Sequence, residues 1–332
     1  MSDQKVRIGI VGGGGIVRAH LPRLKECSEL VDVVALSDVN AQAAETTAKE
    51  FSIPRFTTDY KEWLDEVDAV VIGVPTHLHA QIGVDCANAG KAIFMEKPFT
   101  RTREQADELI AAIEKNNVPF QVGFVRRFDA QWMGWRDLIQ QEKIGKPVVW
   151  RDVQASSGPG PKWFNQDEQG GGPFIDGCIH NLDFGLYTFG PVEWVFCHGR
   201  TLREGSTAID TGSATIRFGS GDELLLAWSW GLPGVQFRGT GSNVFEFLGP
   251  RGFLKYGEGQ TYLVDNGEGA ESISYPENAI GQAFNDQMDE FVAVAQGGST
   301  PRAGWKEGLA SLEVALAILE SGRSGQVVRM NS

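Results

Sequence analysis

The sequence predicts an α/β protein, a doubly wound parallel sheet followed by an α+β domain with a large, mostly antiparallel sheet. Three observations predict it. The first 125 residues alternate short apolar runs with helical patterns, as parallel strands buried on both faces require. After Arg126 that alternation gives way, further on, to strands broken by Gly, Pro and Asn, which suits antiparallel pairing. The length, 332 residues, also exceeds what one core ordinarily holds, so two domains are expected, 1–125 and 126–332.

In chain order, Val6–Val11, Val33–Leu36, Ala69–Val74, Ala92–Met95 and Phe120–Phe124 are rich in Val, Ile and Phe and are assigned to buried strands. Between the last two, Thr102 and Gln105 make a capping-box pair, and Ala106, Leu109, Ile110 and Ile113 repeat at helical spacing. Helix-like stretches follow around Trp132–Gln141 and Phe174–Phe189. The glycine- and proline-rich stretch Ser157–Pro173 lies between them and is the best candidate for a mobile lid. From Val192 to about Asp265 the pattern is strand-like, clearest at Asp222–Trp230 and Asn243–Leu248. Two helices close the chain. Phe284, Gln287, Met288, Phe291 and Ala295 mark a face of one, and Leu309, Leu312, Leu316 and Leu319 a face of the other.

The formal net charge of −13 argues against nucleic acid or an anionic membrane as partner, since either favours a basic face. A small anionic cofactor remains admissible, because a glycine turn at a helix N-terminus holds phosphate locally. The opening residues Met1 to Lys5 show no basic segment leading into an apolar one. No apolar run approaches the roughly 20 residues of a membrane helix. Cys27, Cys86, Cys178 and Cys197 are scattered, without C-x-x-C spacing, as reduced thiols are. A cytoplasmic protein is expected.

Residues Val6–His20 read VRIGIVGGGGIVRAH, a strand running into a glycine turn and then a helix. In a dinucleotide site the first glycine permits the tight turn, the second admits pyrophosphate, and the third lets helix pack on strand. Gly12 and Gly14 take the first two places. Val17 stands at the third, where a β-branched residue is expected to push the helix slightly away from the sheet. The second strand leads to Asp38, 24 residues after Gly14. Its carboxylate suits the adenine ribose hydroxyls and would repel a 2′-phosphate, while Val39 and Asn40 bring no positive charge. NAD is therefore expected in preference to NADP. A later strand ends in Pro75-Thr76-His77-Leu78-His79, at the edge where such a sheet places its cofactor crevice. His77 is read there as a solvated helix-start residue.

Glu96-Lys97-Pro98 lies just beyond Ala92–Met95, and Asp176-x-x-x-His180-x-x-Asp183 follows Gly170-Gly171-Gly172. Oxidising a secondary alcohol removes the hydroxyl proton as hydride leaves carbon, and histidine titrates in the range such a base needs. On a helix Asp176 and His180 share a face, with Asp183 three residues further on. The aspartate can orient the imidazole or bind substrate, and a lysine near the reacting oxygen can stabilise developing alkoxide charge. The plainer alternatives are a surface ion pair and a snorkelling lysine. Apolar neighbours (Phe174, Ile175, Ile179, Leu182, Phe184) weigh against the first, and the strand-end place of Lys97 against the second. Asp and His at this spacing can also ligate zinc, but no third ligand stands at a telling spacing and no metal is expected.

Taken together, GIVGGGGIVRAH, Pro75-x-x-x-His79, Glu96-Lys97-Pro98, Gly123-Phe124-Val125-Arg126-Arg127-Phe128-Asp129 and the block from Gly170 to Asp183 resemble one family in their order and spacing. It is the glucose–fructose oxidoreductase/inositol dehydrogenase/MocA family, and the likeness runs over nearly the whole chain, to a closing helix at Gly304–Ser321. The resemblance implies a Rossmann domain, then a sheet domain whose open face binds a sugar or cyclitol and builds a homodimer or homotetramer. It implies that Lys97, Asp176 and His180 are the catalytic group, with His180 the proton acceptor. Gly12, Gly14, Gly15, Ile16 and Asp38 would hold NAD, joined by Pro75, His79, Glu96 and Lys97. Arg127 and Asp183 match positions that contact substrate hydroxyls in inositol dehydrogenases. Lys97, Trp163, Asp176 and His180 are added to them as substrate-binding residues, and a sugar-stacking surface is admissible among the nine tryptophans.

The expected activity is NAD(P)-dependent oxidation of a secondary hydroxyl on an inositol- or aldose-type ring. Two other readings stand beside it. One is redox-assisted glycoside cleavage with NAD retained, and the other is a non-catalytic dinucleotide sensor, which need not keep the lysine–aspartate–histidine set.

Overall fold

Six short strands pair in parallel: β1 (Val6–Val11), β2 (Val31–Ser37), β3 (Arg55–Thr57), β4 (Ala69–Ile72), β5 (Ala92–Met95) and β6 (Phe120–Val122). The computed structural model describes residues 5–232 and 244–330. The strand order is β3-β2-β1-β4-β5-β6, so it reverses between β1 and β4. That is the switch point at which an open parallel sheet leaves a crevice beyond its strand ends. Every residue of β4 and β5 is buried, as helices on both faces demand. Those helices are α1 (Gly15–Glu26), α2 (Ala41–Glu50), α3 (His79–Asn88) and α4 (Arg103–Asn116). Thr102 caps α4 by accepting the Gln105 N–H at 3.3 Å. The Gln105 side chain reaches back to the Arg101 N–H, one residue before the cap, so the capping-box pair closes over a slightly wider loop. β3, only three residues long and nowhere buried, carries no apolar run to betray it.

The second sheet follows α5 (Ala130–Gln140). Its strands are β7 (Val149–Ala155), then, after α6 (Ile179–Phe189), β8 (Val192–Arg200), β9 (Thr211–Phe218) and β10 (Glu223–Ser229). β11 (Val244–Gly249), β12 (Gly252–Tyr256), β13 (Thr261–Asp265), β14 (Ala270–Ser274) and β15 (Val328–Arg329) complete it. Among the described residues the order is β14-β13-β12-β11-β7-β10-β9-β8-β15. β7 and β10 run parallel and the other neighbours antiparallel. The strand expected at Asn243–Leu248 begins at Val244 here, Asn243 lying outside the described residues. Alternation is clear in β7, where Trp150 and Asp152 are buried while Arg151 and Val153 are exposed. The buried face carries Trp150 and Phe247, stacked at 5.3 Å between ring centroids, and packs against Trp135 of α5 and Phe184 of α6.

The chain closes with α7 (Ala279–Ala295) and α8 (Trp305–Ser324). Two units result: Met1–Phe128 with Ile280–Leu309, and Asp129–Ala279 with Ala310–Ser332. A single cut after residue 125 does not describe them. Met288, Phe291 and Val292 of α7 belong to the core that holds Ile8, Ile10, Leu21 and Phe94, and Phe291 meets Phe94 edge-on at 5.5 Å. An amphipathic helix announces that it covers something without saying which sheet, and this one covers the first. Among the described residues no helix is long and apolar enough to cross a membrane.

Candidate active site

The first unit supplies a glycine turn, a carboxylate and a lysine. β1 is followed by Gly12, whose φ of +103° is open to glycine and few other residues. Gly14 and Gly15 have no atom within 4 Å of where a Cβ would stand, and α1 begins there with no side-chain cap among the described residues on its first N–H groups. Ile16 packs against the core at the next position. Val17 is fully buried, and the room for it comes from across the interface: a Cβ on Gly73 would stand 2.5 Å from Val17 Cγ2. The glycine that lets helix meet sheet thus sits after β4, so Val17 fills the contact that it was expected to prise open. Asp38 accepts the Gly13 N–H at 2.7 Å through Oδ2 and the Asn40 N–H at 2.8 Å through Oδ1. Its carboxylate is thereby fixed beside the turn. An amide-lined helix start and an anchored carboxylate fit the pyrophosphate and ribose of a dinucleotide.

The segment after β4 starts at half-buried Pro75, and neither of its histidines is a solvated helix-start residue. His77 is half buried, its buried Nδ1 has no hydrogen-bond partner among the described residues, and burial pushes its pKa down. His79 is buried, with Nδ1 2.8 Å from Pro98 O and Nε2 3.0 Å from Val74 O. Its imidazole is committed to the backbone of two strand ends, a neutral ring donating to one carbonyl at a time. Burial lowers its pKa, and these two carbonyls work in the opposite sense. Glu96 is buried as well; its Oε2 accepts the Lys97 N–H at 3.1 Å. Its Oε1 stands 2.6 Å from Nε2 of His20, on α1. His20 is a letter of the glycine-turn motif to which sequence reasoning assigns no task. Lys97 itself is half buried at the end of β5. Arg127 is buried and donates to the Arg302 carbonyl, while Arg302 returns a bond to the Arg127 carbonyl at 3.3 Å.

The second unit carries Asp176, Asp183 and His180. The helix expected over Phe174–Phe189 is broken: Pro173–Gly177 forms a π-helical turn, closed by the Cys178 N–H on Pro173 O at 2.8 Å, and α6 starts only at Ile179. Asp176 lies in the wide turn and His180 in the first α-turn, so simple i, i+4 spacing does not relate them. Such turns often mark functional positions. Asp176 and Asp183 are buried and His180 half buried. Next to His180, Asn181 donates to Asp152 Oδ2 at 2.5 Å, and Trp228 Nε1 donates to the same oxygen at 3.1 Å. Gln154 donates to Asp152 Oδ1 at 3.0 Å. Burial pushes the Asp152 pKa up to about 6 against the pull of the Gln154 and Trp228 bonds. No sequence motif flags Asp152; its inward place in β7 is the sole signal. Trp163 is half buried and stacked on Phe164, ring centroids 3.7 Å apart. The loop around it is tied down, because Asn165 O accepts from the Thr207 and Ala208 N–H groups at 3.1 and 3.2 Å, and Gln166 donates to Gly205 O at 2.9 Å.

Two family models match in sequence order. One, described as an oxidoreductase family with an NAD-binding Rossmann fold, covers residues 6–124, and the GFO/IDH/MocA C-terminal domain covers residues 132–255. The chain belongs to the GFO/IDH/MocA family. Among curated GFO/IDH/MocA-like relatives, it is 28% identical to the scyllo-inositol 2-dehydrogenase (NAD(+)) of Bacillus subtilis, over 99% of this chain and 97% of that protein. It is 31% identical to the myo-inositol 2-dehydrogenase of Thermotoga maritima, over 65% of this chain and 66% of that one. Among solved structures, the WlbA dehydrogenase of Bordetella pertussis, in complex with NADH and UDP-GlcNAcA, matches with a TM-score of 0.85 at 22% identity, covering 100% of this chain and 99% of that one. Levoglucosan dehydrogenase, in complex with NADH and levoglucosan, matches with a TM-score of 0.83 at 22% identity, covering 98% and 99%. At that identity the two structures share the GFO/IDH/MocA fold with this chain.

Proposed function

We propose that this family member is an NAD-dependent dehydrogenase that oxidises a secondary hydroxyl on a cyclitol or a related sugar ring. The observation that carries the reading is the match, end to end, with an NAD-dependent scyllo-inositol dehydrogenase in a chain that keeps Lys97, Asp176 and His180. Asp38 favours NAD over NADP, since its anchored carboxylate would face a 2′-phosphate with like charge. The glycine turn and Asp38 would hold NAD, which would supply the hydride acceptor. His180 takes the hydroxyl proton, Asp176 steadies that imidazole or the substrate, and Lys97 donates a hydrogen bond to the reacting oxygen. Arg127 and Asp183 select ring hydroxyls, and Trp163 offers a flat face to the ring. The open face of the second sheet, with Val153 and Leu225 exposed, supports a homodimer or homotetramer, which sedimentation would measure. The four unbridged cysteines suit a reducing cytoplasm. Neither glycoside cleavage nor dinucleotide sensing has an observation in its favour.

The test is near-ultraviolet absorbance of the protein with NAD or NADP and a panel of inositols, aldoses, uronates and glycosides. Reduction of NAD by an inositol or aldose is the expected result. Lys97→Ala should then lower turnover by about 100-fold with NAD affinity kept. Silence across the panel despite tight NAD binding would sink the proposal, and lost NAD affinity in Lys97→Ala would reassign that lysine to the cofactor.

A further inference from the structure

Glu96 gives each carboxylate oxygen a different task. Oε2 accepts the backbone N–H of Lys97 at 3.1 Å, and Oε1 stands 2.6 Å from His20 Nε2. Both side chains are buried, His20 completely. The imidazole is held edge-on by Phe94 at 5.1 Å and by Phe284 of α7 at 5.3 Å, at 72° and 66°. Its other nitrogen, Nδ1, is buried without a hydrogen-bond partner among the described residues. A proton there would be a buried donor with nothing to receive it, whereas a bare lone pair costs less. The surroundings therefore select the tautomer that carries its proton on Nε2, aimed at Glu96. Gly123 completes the arrangement, because a Cβ on it would stand 3.0 Å from the Glu96 carboxylate. The helix that begins at the glycine turn thus grips, through its buried face, the residue immediately before Lys97.

We propose that His20 is a positioning residue for Lys97: its Nε2–H fixes the Glu96 carboxylate, which in turn fixes the Lys97 backbone at the end of β5. The catalytic consequence rests on the dehydrogenase reading above; the geometric one does not. Misplacing a reacting group by about an ångström costs on the order of 100-fold in rate.

Two measurements test it. In the unmodified protein, nitrogen NMR of the ring atoms is tractable with five histidines. His20 should show a protonated Nε2 and a bare Nδ1; the opposite tautomer would overturn the proposal even if no variant folds. Second, His20→Leu and His20→Gln are compared, the glutamine placing an N–H donor close to where Nε2 stood. His20→Leu should lower kcat by about 10- to 100-fold, leave KM and the NAD dissociation constant in place, and quicken hydrogen exchange in residues 92–100. His20→Gln should recover most of both losses. Wild-type kcat and exchange in His20→Leu, or equal damage in both variants spread over the whole first unit, would refute a positioning role. If the wild-type protein oxidises no polyol while the tautomer and exchange results come out as expected, the activity reading fails and the anchoring of Lys97 stands.

Discussion

Gly73 performs, after β4, the task that a third glycine would perform in the first turn of α1. Packing needs one small residue at the place where helix and sheet approach, and it does not matter which side supplies it. Gly73→Ala should therefore cost about 1–3 kcal/mol by overpacking against Val17. In a Val17→Ala background, where the offending methyl is gone, the same substitution should cost distinctly less. Denaturant unfolding of the two single variants and the double variant reads this coupling, and additive losses would show that the two residues do not share the space. The glycine turn and Asp38 were legible in the sequence because their partners lie close along the chain or belong to a known pattern. His20 was not, since its partner is 76 residues away and a histidine letter inside a glycine motif says nothing of a carboxylate beyond another strand. Nor could Gly73 be read as the partner of Val17 without knowing which strand lies beside β1.

Among elements, the break before α6 and the anchoring of that helix to the sheet matter most. Apolar periodicity over Phe174–Phe189 was legible, but one extra residue in a turn leaves that pattern nearly intact, so the wide turn at Pro173–Gly177 left no trace in it. Similarly, glycine and proline in 157–173 signalled a loop correctly, while its ties to the segment around Thr207 depend on a neighbour that sequence does not reveal. Asp152 joins β7, β10 and α6 through three side-chain donors, and its place has a pH signature. Its pKa rises from an ordinary 3.8 to about 6 on folding. Between those values the folded protein holds a proton that the unfolded chain has released, so stability should fall as pH rises from about 4 to 6 and then level off. A rise of that size corresponds to about 3 kcal/mol as an upper bound. Asp152→Asn, which has no proton to lose, should lack this step in denaturation midpoints taken across that range. An equal step in the variant would assign it to another group.

At the scale of the whole molecule, the parallel sheet, the antiparallel sheet and their order along the chain were all legible, because two periodicities and a count of glycine-broken strands suffice for them. The return of Ile280–Leu309 to the first unit was not, and it bears on how the protein can be made. Phe291 and Met288 close a core whose first strand is Val6–Val11. A fragment ending at residue 128 should therefore be poorly soluble and bind NAD weakly, and supplying 280–309 through a linker should restore both, with light scattering and fluorescence titration as the readouts. A soluble, NAD-binding 1–128 fragment would show that α7 is dispensable. During synthesis, β1 and its neighbours must wait, with part of their apolar surface uncovered, until α7 has been translated, well after the second sheet. For that interval a chaperone has to keep those strands from sticking to neighbouring chains.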